Sequence, residues 1–348
     1  MFPKLRAKPL VGACAVLSIL TMTAACNRGS AEAPAGSGSA QTTVKMAAVL
    51  RNFTNPYWTA MRDGLQDEAK KQGVTVDIQA GSGETDVDGV NAKISTMANQ
   101  DYNCFGVVPN NATNVITPLV PVARKKTPIM NLDTKADWDA AGKAGVTFAT
   151  FIGSDNEEAG TLAGKRLVEL TKGGGAKAAI LQGLAGEANG IAREKGFRAA
   201  VGSDLQVVSV ASADYEQSKA QTVTDAILKQ HPDLKAIFAA NDSMGLGAAK
   251  SVENAGLKGK VSIISVDGVQ AALDAVESGS LAGTVTQYPY AEGVIAIDAC
   301  IAAVKGTPIP DRVVAPIALI DKDNVSKAKT SFPRPFEPFT NPMESLIK

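Results

Sequence analysis

The feature that most constrains the fold of this chain is an alternation of short apolar runs with longer stretches of helical periodicity. In chain order the runs are VKMAAVL, VTVDI, CFGVV, TPIMNL, KAAIL, LQVVSV, KAIFAA and VSIISV. Short runs that are apolar throughout are typical of β-strands buried on both faces. We therefore predict parallel sheets, with helices that right-handed crossovers place on both faces.

The alternation occurs twice, which predicts two lobes. It breaks at FIGSDN (151–156), breaks again at QYPY (287–290), and has a third candidate crossing near Pro316. Three crossings predict an α/β fold of two doubly wound parallel-sheet lobes joined by a three-strand hinge. The predicted lobes are 44–153 plus 288–318 (N-terminal) and 154–287 plus 319–348 (C-terminal).

The first 43 residues have the composition of an export signal and a tether. A basic start precedes the apolar segment LVGACAVLSILTMTAA, and the ending TAAC stops at Cys26. This order is that of a secretory signal, and TAAC resembles a bacterial lipobox. We predict a lipoprotein signal peptide over 1–25 and a lipidated Cys26 that anchors the protein to the cell membrane outside the cytoplasm. A plain signal peptide cut nearby is the alternative. Residues 26–43 are rich in Gly, Ser, Ala and Pro, which predicts a flexible tether.

The charge balance argues against nucleic acid as a partner. The chain has 35 basic and 35 acidic residues, and removing residues 1–25 takes away 3 basic and no acidic ones, which leaves 32 against 35, or −3. Proteins that bind nucleic acid usually present a basic face. We expect no nucleic acid partner.

Two cysteines lie beyond residue 26, and both stand in apolar runs. They are Cys104 in NCFGVV and Cys300 in AIDACIAAV. An exported compartment permits a disulfide, but the apolar surroundings favour two buried free thiols. We expect thiols, with a bridge as the alternative.

The chain lacks the side chains that most catalytic and metal sites need. Its one histidine, His231, precedes a proline at a predicted helix end, so histidine triads and histidine-rich metal sites are unsupported. TKGGGAK lacks the spacing of a phosphate-binding loop, and Asp86 and Asp88 lack that of a calcium loop. Asp133 and Asp267 would form an acid–base pair only at a fixed separation, which sequence does not show. We expect no enzyme activity, no metal and no cofactor.

Polar and aromatic side chains follow the predicted strands, where open α/β sheets bind their ligands. The segments that follow them are RNFTNPYW, PNNATN, Asp133, QGLAGEANGIAREKGF, ASADYEQ, NDSMGLG, DGVQ and Gln287. Planar Asp, Asn, Gln and Arg groups can pair with two neighbouring hydroxyls, and aromatic rings pack on the C–H faces of a sugar. We therefore predict a site for a neutral sugar or polyol. For Tyr57 and Trp58, core packing at the first helical turn is the alternative.

A series of motifs spans 44–320. In order they are NPYW with GLQDEAKKQG, VPNNATNV, NLD, IGSDNEEAG, LQGLAGEANGIAREKGF, SADYEQSKA, FAANDSMGLGAA, ISVDG and TQYPYAEG. In this order and spacing they resemble the bacterial periplasmic sugar-binding proteins of the ribose/galactose type, which share their fold with the ligand domains of lac-repressor-like regulators. The resemblance implies the class I periplasmic binding protein-like fold, whose two lobes close on a sugar about a three-strand hinge.

The resemblance also implies a set of ligand-binding residues, each carried over from one of these motifs. They are Asn55, Tyr57, Trp58, Asp133, Arg193, Tyr215, Asn241, Asp267 and Gln287. Arg51 and Asn110 are further candidates for the same role.

Four positions depart from the ribose-binding pattern. Val108 stands where an Asn precedes the first-lobe Pro, and Thr134 stands where an Arg follows the acidic residue. Val266 replaces an aromatic residue before the DG pair, and Arg51 replaces a small polar residue. The resemblance thus implies the fold of the family with a changed set of ligand-binding residues. Such a site suits a pentose, a hexose or an acyclic sugar alcohol.

We expect a monomeric, lipid-anchored solute-binding protein that captures a monosaccharide or sugar alcohol between its lobes and delivers it to the permease of an ABC importer. A sugar sensor that presents its closed form to a membrane receptor is the alternative. Sequence alone does not separate the two.

Overall fold

The structure of the protein, a computed structural model, describes residues 43–348. The predicted signal peptide, Cys26 and the tether up to residue 42 lie outside the described residues. In the described part of the chain, no helix is long and apolar enough to cross a membrane.

The first sheet has six strands. They are β1 (Lys45–Leu50), β2 (Thr75–Ala80), β3 (Cys104–Val107), β4 (Ile129–Leu132), β5 (Thr150–Gly153) and β11 (Arg312–Val314). Their order is β11-β5-β4-β3-β1-β2, and every neighbouring pair is parallel. The order reverses at β1, and such a switch point opens a crevice beyond the carboxyl ends of the strands.

The second sheet repeats this arrangement with one difference. Its strands are β6 (Ala176–Gln182), β7 (Leu205–Ser212), β8 (Ala236–Ala239), β9 (Ser262–Asp267), β10 (Gly283–Thr286) and β12 (Ala318–Asp321). They lie in the order β12-β10-β9-β8-β6-β7. β12 is antiparallel to β10, unlike the wholly parallel sheet we predicted. The reason is that β12 follows β11 without a crossover helix and so enters its sheet from the hinge end.

Helices connect the strands in both lobes. They are α1 (Pro56–Gln72), α2 (Val87–Ala98), α3 (Ile116–Arg124), α4 (Trp138–Lys143), α5 (Asn156–Thr171), α6 (Ala188–Val201), α7 (Gln217–Gln230), α8 (Asp242–Asn254), α9 (Gln270–Glu277), α10 (Pro289–Val304), α11 (Val325–Ser331) and α12 (Glu344–Ile347).

Each sheet is buried on both faces, as its continuous apolar strands require. Along β1, Met46 and Leu50 pack into one apolar cluster, while Ala47 and Val49 pack into a second cluster on the other face. Successive side chains of a strand point to opposite faces. The side chains of one strand therefore alternate between the apolar clusters on the two faces of the sheet.

Helix α1 carries the first loop of the cleft and has well-defined ends. The Asn55 side chain accepts a hydrogen bond from the Tyr57 backbone N–H at 3.0 Å and caps the helix. Gly73 ends it in the left-handed region, with φ of 69°. Its apolar face lies in the core and consists of Trp58, Met61, Leu65 and Ala69.

The chain passes between the sheets three times. The crossings run from β5 to α5, from β10 to α10, and from β11 to β12 past Pro316. They lie at the three places where the sequence pattern breaks. The fold class of two α/β lobes is thus confirmed, while the lobe boundaries before residue 319 stay a proposal.

The last residues differ from the predicted boundaries. We assigned all of 319–348 to the C-terminal lobe. Met343 is buried in the core of the first lobe, and Leu346 and Ile347 pack against the same cluster. The tail returns because these apolar side chains fit against α10, which belongs to the first sheet's core.

The expectation of two free thiols is wrong. Cys104 at the start of β3 and Cys300 in α10 form a disulfide, with their Cα atoms 6.0 Å apart and a sequence separation of 196. Both cysteines are fully buried in the first-lobe core. The bridge links a strand to the helix that covers it, which a reading of each apolar run by itself does not disclose.

A buried carboxyl group holds the returning tail. The Asn341 side-chain amide donates to Asp298 Oδ2 at 2.6 Å, and only 1% of Asp298 is exposed. Burial, and after it the nearby Glu68, raises the pKa of Asp298 from 3.8 to about 7. The native state therefore keeps a proton on Asp298 that the unfolded chain releases above its ordinary pKa.

We predict a pH-dependent contribution of Asp298 to stability. A pKa that is raised in the folded state stabilises fully below the unfolded pKa, and this gain is lost as the pH rises through the folded pKa. The free energy of unfolding of the natural protein relative to Asp298→Asn should therefore fall between about pH 4 and pH 8. Urea unfolding across this range measures it. A difference that does not change with pH, or an equal slope in the exposed control Asp139→Asn, would contradict the assignment.

Candidate functional site

A cleft lies between the carboxyl edges of the two sheets. It encloses about 280 Å³ of space free of protein atoms, part of it open to solvent. The lining residues come from both lobes and from the crossing after β10. They are Arg51, Asn55, Tyr57, Trp58, Glu84, Asp133, Arg193, Tyr215, Asn241, Asp267 and Gln287.

Glu84 organises the first-lobe wall. Its Oε1 accepts hydrogen bonds from the Asn55 side-chain amide and from the Trp58 indole N–H, both at 2.8 Å. Asn110 donates from its side chain to the Glu84 carbonyl at 3.0 Å and so fixes the loop after β2. Asn55 therefore caps α1 with its oxygen and holds Glu84 with its nitrogen.

A second group of first-lobe side chains surrounds Asp133. The Tyr57 hydroxyl donates to Asp133 Oδ1 at 2.7 Å and lies 3.4 Å from Glu292 Oε2. Burial raises the pKa of Tyr57, and the negative charge of Asp133 raises it further. Burial, followed by Asp133, also raises the pKa of Glu292 well above its ordinary value. Tyr57 therefore stays a neutral donor and has a fixed position at the base of the cleft.

Arg51 is held on every side. Its Nε donates to the Pro109 carbonyl at 2.9 Å, and its Nη2 donates to the Thr134 hydroxyl at 2.6 Å. The guanidinium also pairs with Glu84 at 3.5 Å and with Glu187 at 3.1 Å. Burial alone would lower the pKa of Arg51, but the two carboxylates raise it above its ordinary value. The guanidinium is thus charged, desolvated and already paired.

In the second lobe, Arg193 and Asn241 are fixed by groups on their own side of the cleft. Arg193 Nε donates to the Asn156 side chain and Nη1 donates to the Ala240 carbonyl, both at 2.7 Å. The Asn241 side-chain oxygen caps α8 by accepting from the Met244 N–H at 2.9 Å. Among the described residues, Arg193 Nη2 and Asn241 Nδ2 form no hydrogen bond, so these donors remain for a ligand.

Asp267 and Gln287 are neighbours at the hinge side of the second sheet. The Gln287 amide nitrogen donates to Asp267 Oδ1 at 2.8 Å. The Gln287 oxygen is buried and has no hydrogen-bond partner in the described part of the chain. Burial, followed by the charge of Asp242, raises the pKa of Asp267 well above its ordinary value, although Arg193 lowers it. The carboxyl group can therefore hold a proton and act as donor or acceptor.

Tyr215 lies flat against a glycine. A Cβ on Gly183 would come within 1.9 Å of the Tyr215 ring, so no other residue fits there without a shift of the ring. The hydroxyl donates to Glu187 Oε2 at 2.7 Å. Burial raises the pKa of Tyr215 well above its ordinary value, and the nearby Glu187 raises it further.

Several lining residues have strained backbone. Asp133 (φ 54°), Tyr215 (φ 62°) and Asp267 (φ 139°) have positive φ, which is uncommon for residues other than glycine. Such conformations persist where the surroundings enforce them, and they concentrate at ligand sites. Their presence at three cleft positions indicates that the strand ends are shaped for binding.

The charges of the lining favour a neutral ligand. Two guanidinium groups (Arg51 and Arg193) face three carboxyl groups (Glu84, Asp133 and Asp267). Arg51 is already paired with Glu84 and Glu187. Arg193 makes no ion pair in the described part of the chain, but carboxyl groups outnumber the guanidinium groups around an anionic ligand. Hydroxyl groups, which donate and accept, match the mixture of donors and acceptors.

The structure brings all nine predicted ligand residues together in one cleft, along with the further candidate Arg51. Asn110 does not line it and instead supports Glu84 from behind. Sequence reasoning missed Glu84, which follows β2, since we did not extend the search for polar strand ends to that strand. Among residues 43–348, no group of three or more His, Cys, Asp or Glu side chains is arranged to hold a metal ion.

Comparison with known proteins identifies the family. The family model for a periplasmic binding protein domain matches residues 46–308. The chain belongs to the periplasmic binding proteins. This confirms the resemblance in the sequence, and it confirms the prediction of binding rather than catalysis, because the relatives are binding proteins. Membership in the family also implies a location outside the cytoplasm.

The names of several relatives of this periplasmic binding protein include a sugar. The D-allose-binding periplasmic protein of Escherichia coli (strain K12) is 34% identical over 82% of this chain and 93% of its own length. The ribose import binding protein RbsB of Bacillus subtilis (strain 168) is 28% identical over 78% and 85%. A solved solute-binding protein of an ABC transporter from Actinobacillus succinogenes 130z, with bound D-allose, has a TM-score of 0.78, 31% identity, and coverage of 82% of this chain and 99% of that one.

We predict that removing the Glu84 side chain destabilises the first-lobe wall. Glu84→Ala leaves the buried Asn55 amide and Trp58 indole without their acceptor and should lower the free energy of unfolding by about 1–3 kcal/mol. Glu84→Gln keeps an acceptor oxygen and should lose less. Chemical denaturation measures both. Equal stability of the alanine and glutamine variants would show that the two hydrogen bonds do not matter.

Proposed function

We propose that this periplasmic binding protein captures a neutral monosaccharide or sugar alcohol in the cleft and delivers it to the permease of an ABC importer. The observation that carries the proposal is the buried Gln287 oxygen, which has no partner among the described residues although it lines the cleft. A buried unpaired acceptor is costly. A ligand hydroxyl placed beside Asp267 would supply the missing donor.

The remaining groups suit the same ligand. Arg193 Nη2 and Asn241 Nδ2 offer donors on the second-lobe side, and Asp267 offers a carboxyl oxygen beside Gln287. Neighbouring hydroxyls on a sugar ring could pair with this set in a single orientation. Tyr57, Trp58 and Tyr215 add aromatic surface for the C–H faces of the ring. The Tyr57 and Trp58 rings meet edge to face at 4.7 Å, so the two present different surfaces to the cleft.

D-Allose and D-ribose are the first ligands to test, because relatives that are 34% and 28% identical carry these names. Arg51 and Thr134 differ from the residues of the ribose-binding pattern, which indicates that the set of ligand-binding side chains has changed. Other pentoses and hexoses, and C4–C6 sugar alcohols, therefore belong in the same panel.

The proposal includes lipid anchoring at Cys26 after removal of 1–25. The basic start, the short apolar segment and TAAC support it, and 26–43 would give the binding domain a flexible reach to the permease. Metabolic labelling with a radioactive fatty acid tests it. Label that is lost in Cys26→Ser supports the anchor, and an unlabelled natural protein contradicts it.

We predict stabilisation by a neutral sugar and its loss in cleft variants. A ligand at 100 times its dissociation constant adds about 2.7 kcal/mol to the free energy of unfolding, so a thermal-shift screen should detect the ligand. Arg193→Ala or Asp267→Ala should lose most of the affinity in titration calorimetry, because either change leaves buried partners unpaired.

Arg198→Ala is the matched control, since Arg198 lies on the same helix as Arg193 but, within residues 43–348, pairs only with Glu194 at the surface. Unchanged affinity in both cleft variants would place the site elsewhere. A panel without any shift, or a preference for sugar phosphates or sugar acids, would contradict a neutral sugar. Sugar uptake in a deletion strain separates transport from sensing, because a sensor would leave uptake unchanged.

A further inference from the structure

Glu187 stands immediately before α6 and serves its own lobe with one carboxylate oxygen. Oε2 accepts from the Gly190 N–H at 2.9 Å and so caps the helix that carries Arg193. The same oxygen accepts from the Tyr215 hydroxyl at 2.7 Å. Glu187 is 2% exposed and does not line the cleft.

The other oxygen of Glu187 reaches the opposite lobe. Oε1 accepts from Arg51 Nη2 at 3.1 Å and lies 3.3 Å from the Thr134 hydroxyl, which donates to Asp133 Oδ2 at 2.8 Å. Both Arg51 and Thr134 follow strands of the first sheet, so these contacts of Oε1 cross the cleft. A neighbouring contact makes the same crossing, because the Asn189 side-chain amide donates to Asp133 Oδ2 at 3.0 Å.

We propose that Glu187 is a positioning residue that couples closure of the two lobes to the placement of Arg51 against the ligand. The inference rests on the proposed sugar-binding function. Glu187 contacts two lining residues from different lobes, Arg51 and Tyr215, without lining the cleft itself. It thereby fixes one wall of the site relative to the other.

The electrostatics give the coupling a direction. In the closed arrangement Arg51 lies between Glu84 of its own lobe and Glu187 of the other. When the lobes separate, Arg51 keeps Glu84, Thr134 and the Pro109 carbonyl but loses Glu187. Because Glu187 lies across the cleft from Arg51, this pair forms only at the end of closure. Removing Glu187 leaves the buried Arg51 charge less compensated in the closed state, which destabilises that state.

A contact of this kind acts on release more than on capture. The ligand first meets an open cleft, in which Arg51 and Glu187 are apart, so the pair affects the association rate only through the fraction of sugar-free protein that is open. Dissociation requires the lobes to separate and the pair to break. Changes to such late-forming contacts appear mainly in the dissociation rate.

Glu187→Gln tests the proposal, since its single carbonyl oxygen can still cap α6 and accept from Tyr215. Its side-chain NH₂ group then faces the Arg51 guanidinium. Both groups are hydrogen-bond donors, so they cannot pair. We expect the dissociation constant for the best sugar of the panel to rise about tenfold or more. Stopped-flow measurements should assign this rise to the dissociation rate, with the association rate changed by less than about twofold.

Two controls separate coupling from a general loss of structure. Glu157→Gln removes an exposed carboxylate that pairs with Lys195 at 2.8 Å within the second lobe, and it should leave both rates unchanged. In a double-mutant cycle with Arg51→Gln, the effects of the two single changes should not add, because each already breaks the same pair. A role of Glu187 confined to capping and to Tyr215 would give additive effects, and that result would overturn the proposal.

Small-angle X-ray scattering of the protein without added sugar keeps the test independent of the ligand. Glu187→Gln should have a larger radius of gyration than the natural protein, because its open form is more populated. If no sugar binds the natural protein, the proposed function fails while this comparison still tests Glu187. If sugar binds equally well to both proteins and their scattering is the same, the coupling is refuted and the sugar site stands.

Discussion

The site depends on one geometric constraint: parallel strands end at a common edge. Every lining residue stands at or after the carboxyl end of a strand, from Arg51 after β1 to Gln287 after β10. Because the chain builds two such sheets and crosses between them three times, two polar edges face each other. The cleft is therefore a consequence of topology, and sequence variation at strand ends can change the ligand without changing the frame.

Burying so many charged groups at these edges requires that they satisfy one another. Arg51 is compensated by carboxylates from both lobes, and Asp133 accepts from Tyr57, Thr134 and Asn189. Most first-lobe groups are thus paired with protein, although Glu84 Oε2 has no hydrogen-bond partner in the described part of the chain. The Gln287 oxygen and the free donors of Arg193 and Asn241 lie on the second-lobe and hinge side. A neutral ligand rich in hydroxyls fits this distribution, since it can satisfy the open groups without bringing a charge of its own.

Sequence predicted the elements and most of the site because both follow from local patterns. Continuous apolar runs indicate buried strands, and the side chains after them share one edge. The features that the sequence did not predict depend on contacts between residues that are distant in the chain. In the sequence, Glu187 has only the position of a helix-capping residue, and its contact with Arg51, 136 positions away, exists only in the folded chain. Cys104 pairs with Cys300 only because α10 returns to cover β3. Glu84 was within reach of the strand-end rule, because it stands in the loop that follows β2.

The most direct test of the account is a crystal structure of the protein grown with the best-binding sugar of the panel. We predict one sugar in the cleft, with a hydroxyl that donates to the Gln287 oxygen and others within hydrogen-bond distance of Arg193 and Asp267. A sugar bound outside the cleft, or a sugar within it that leaves the Gln287 oxygen unpaired, would contradict the account.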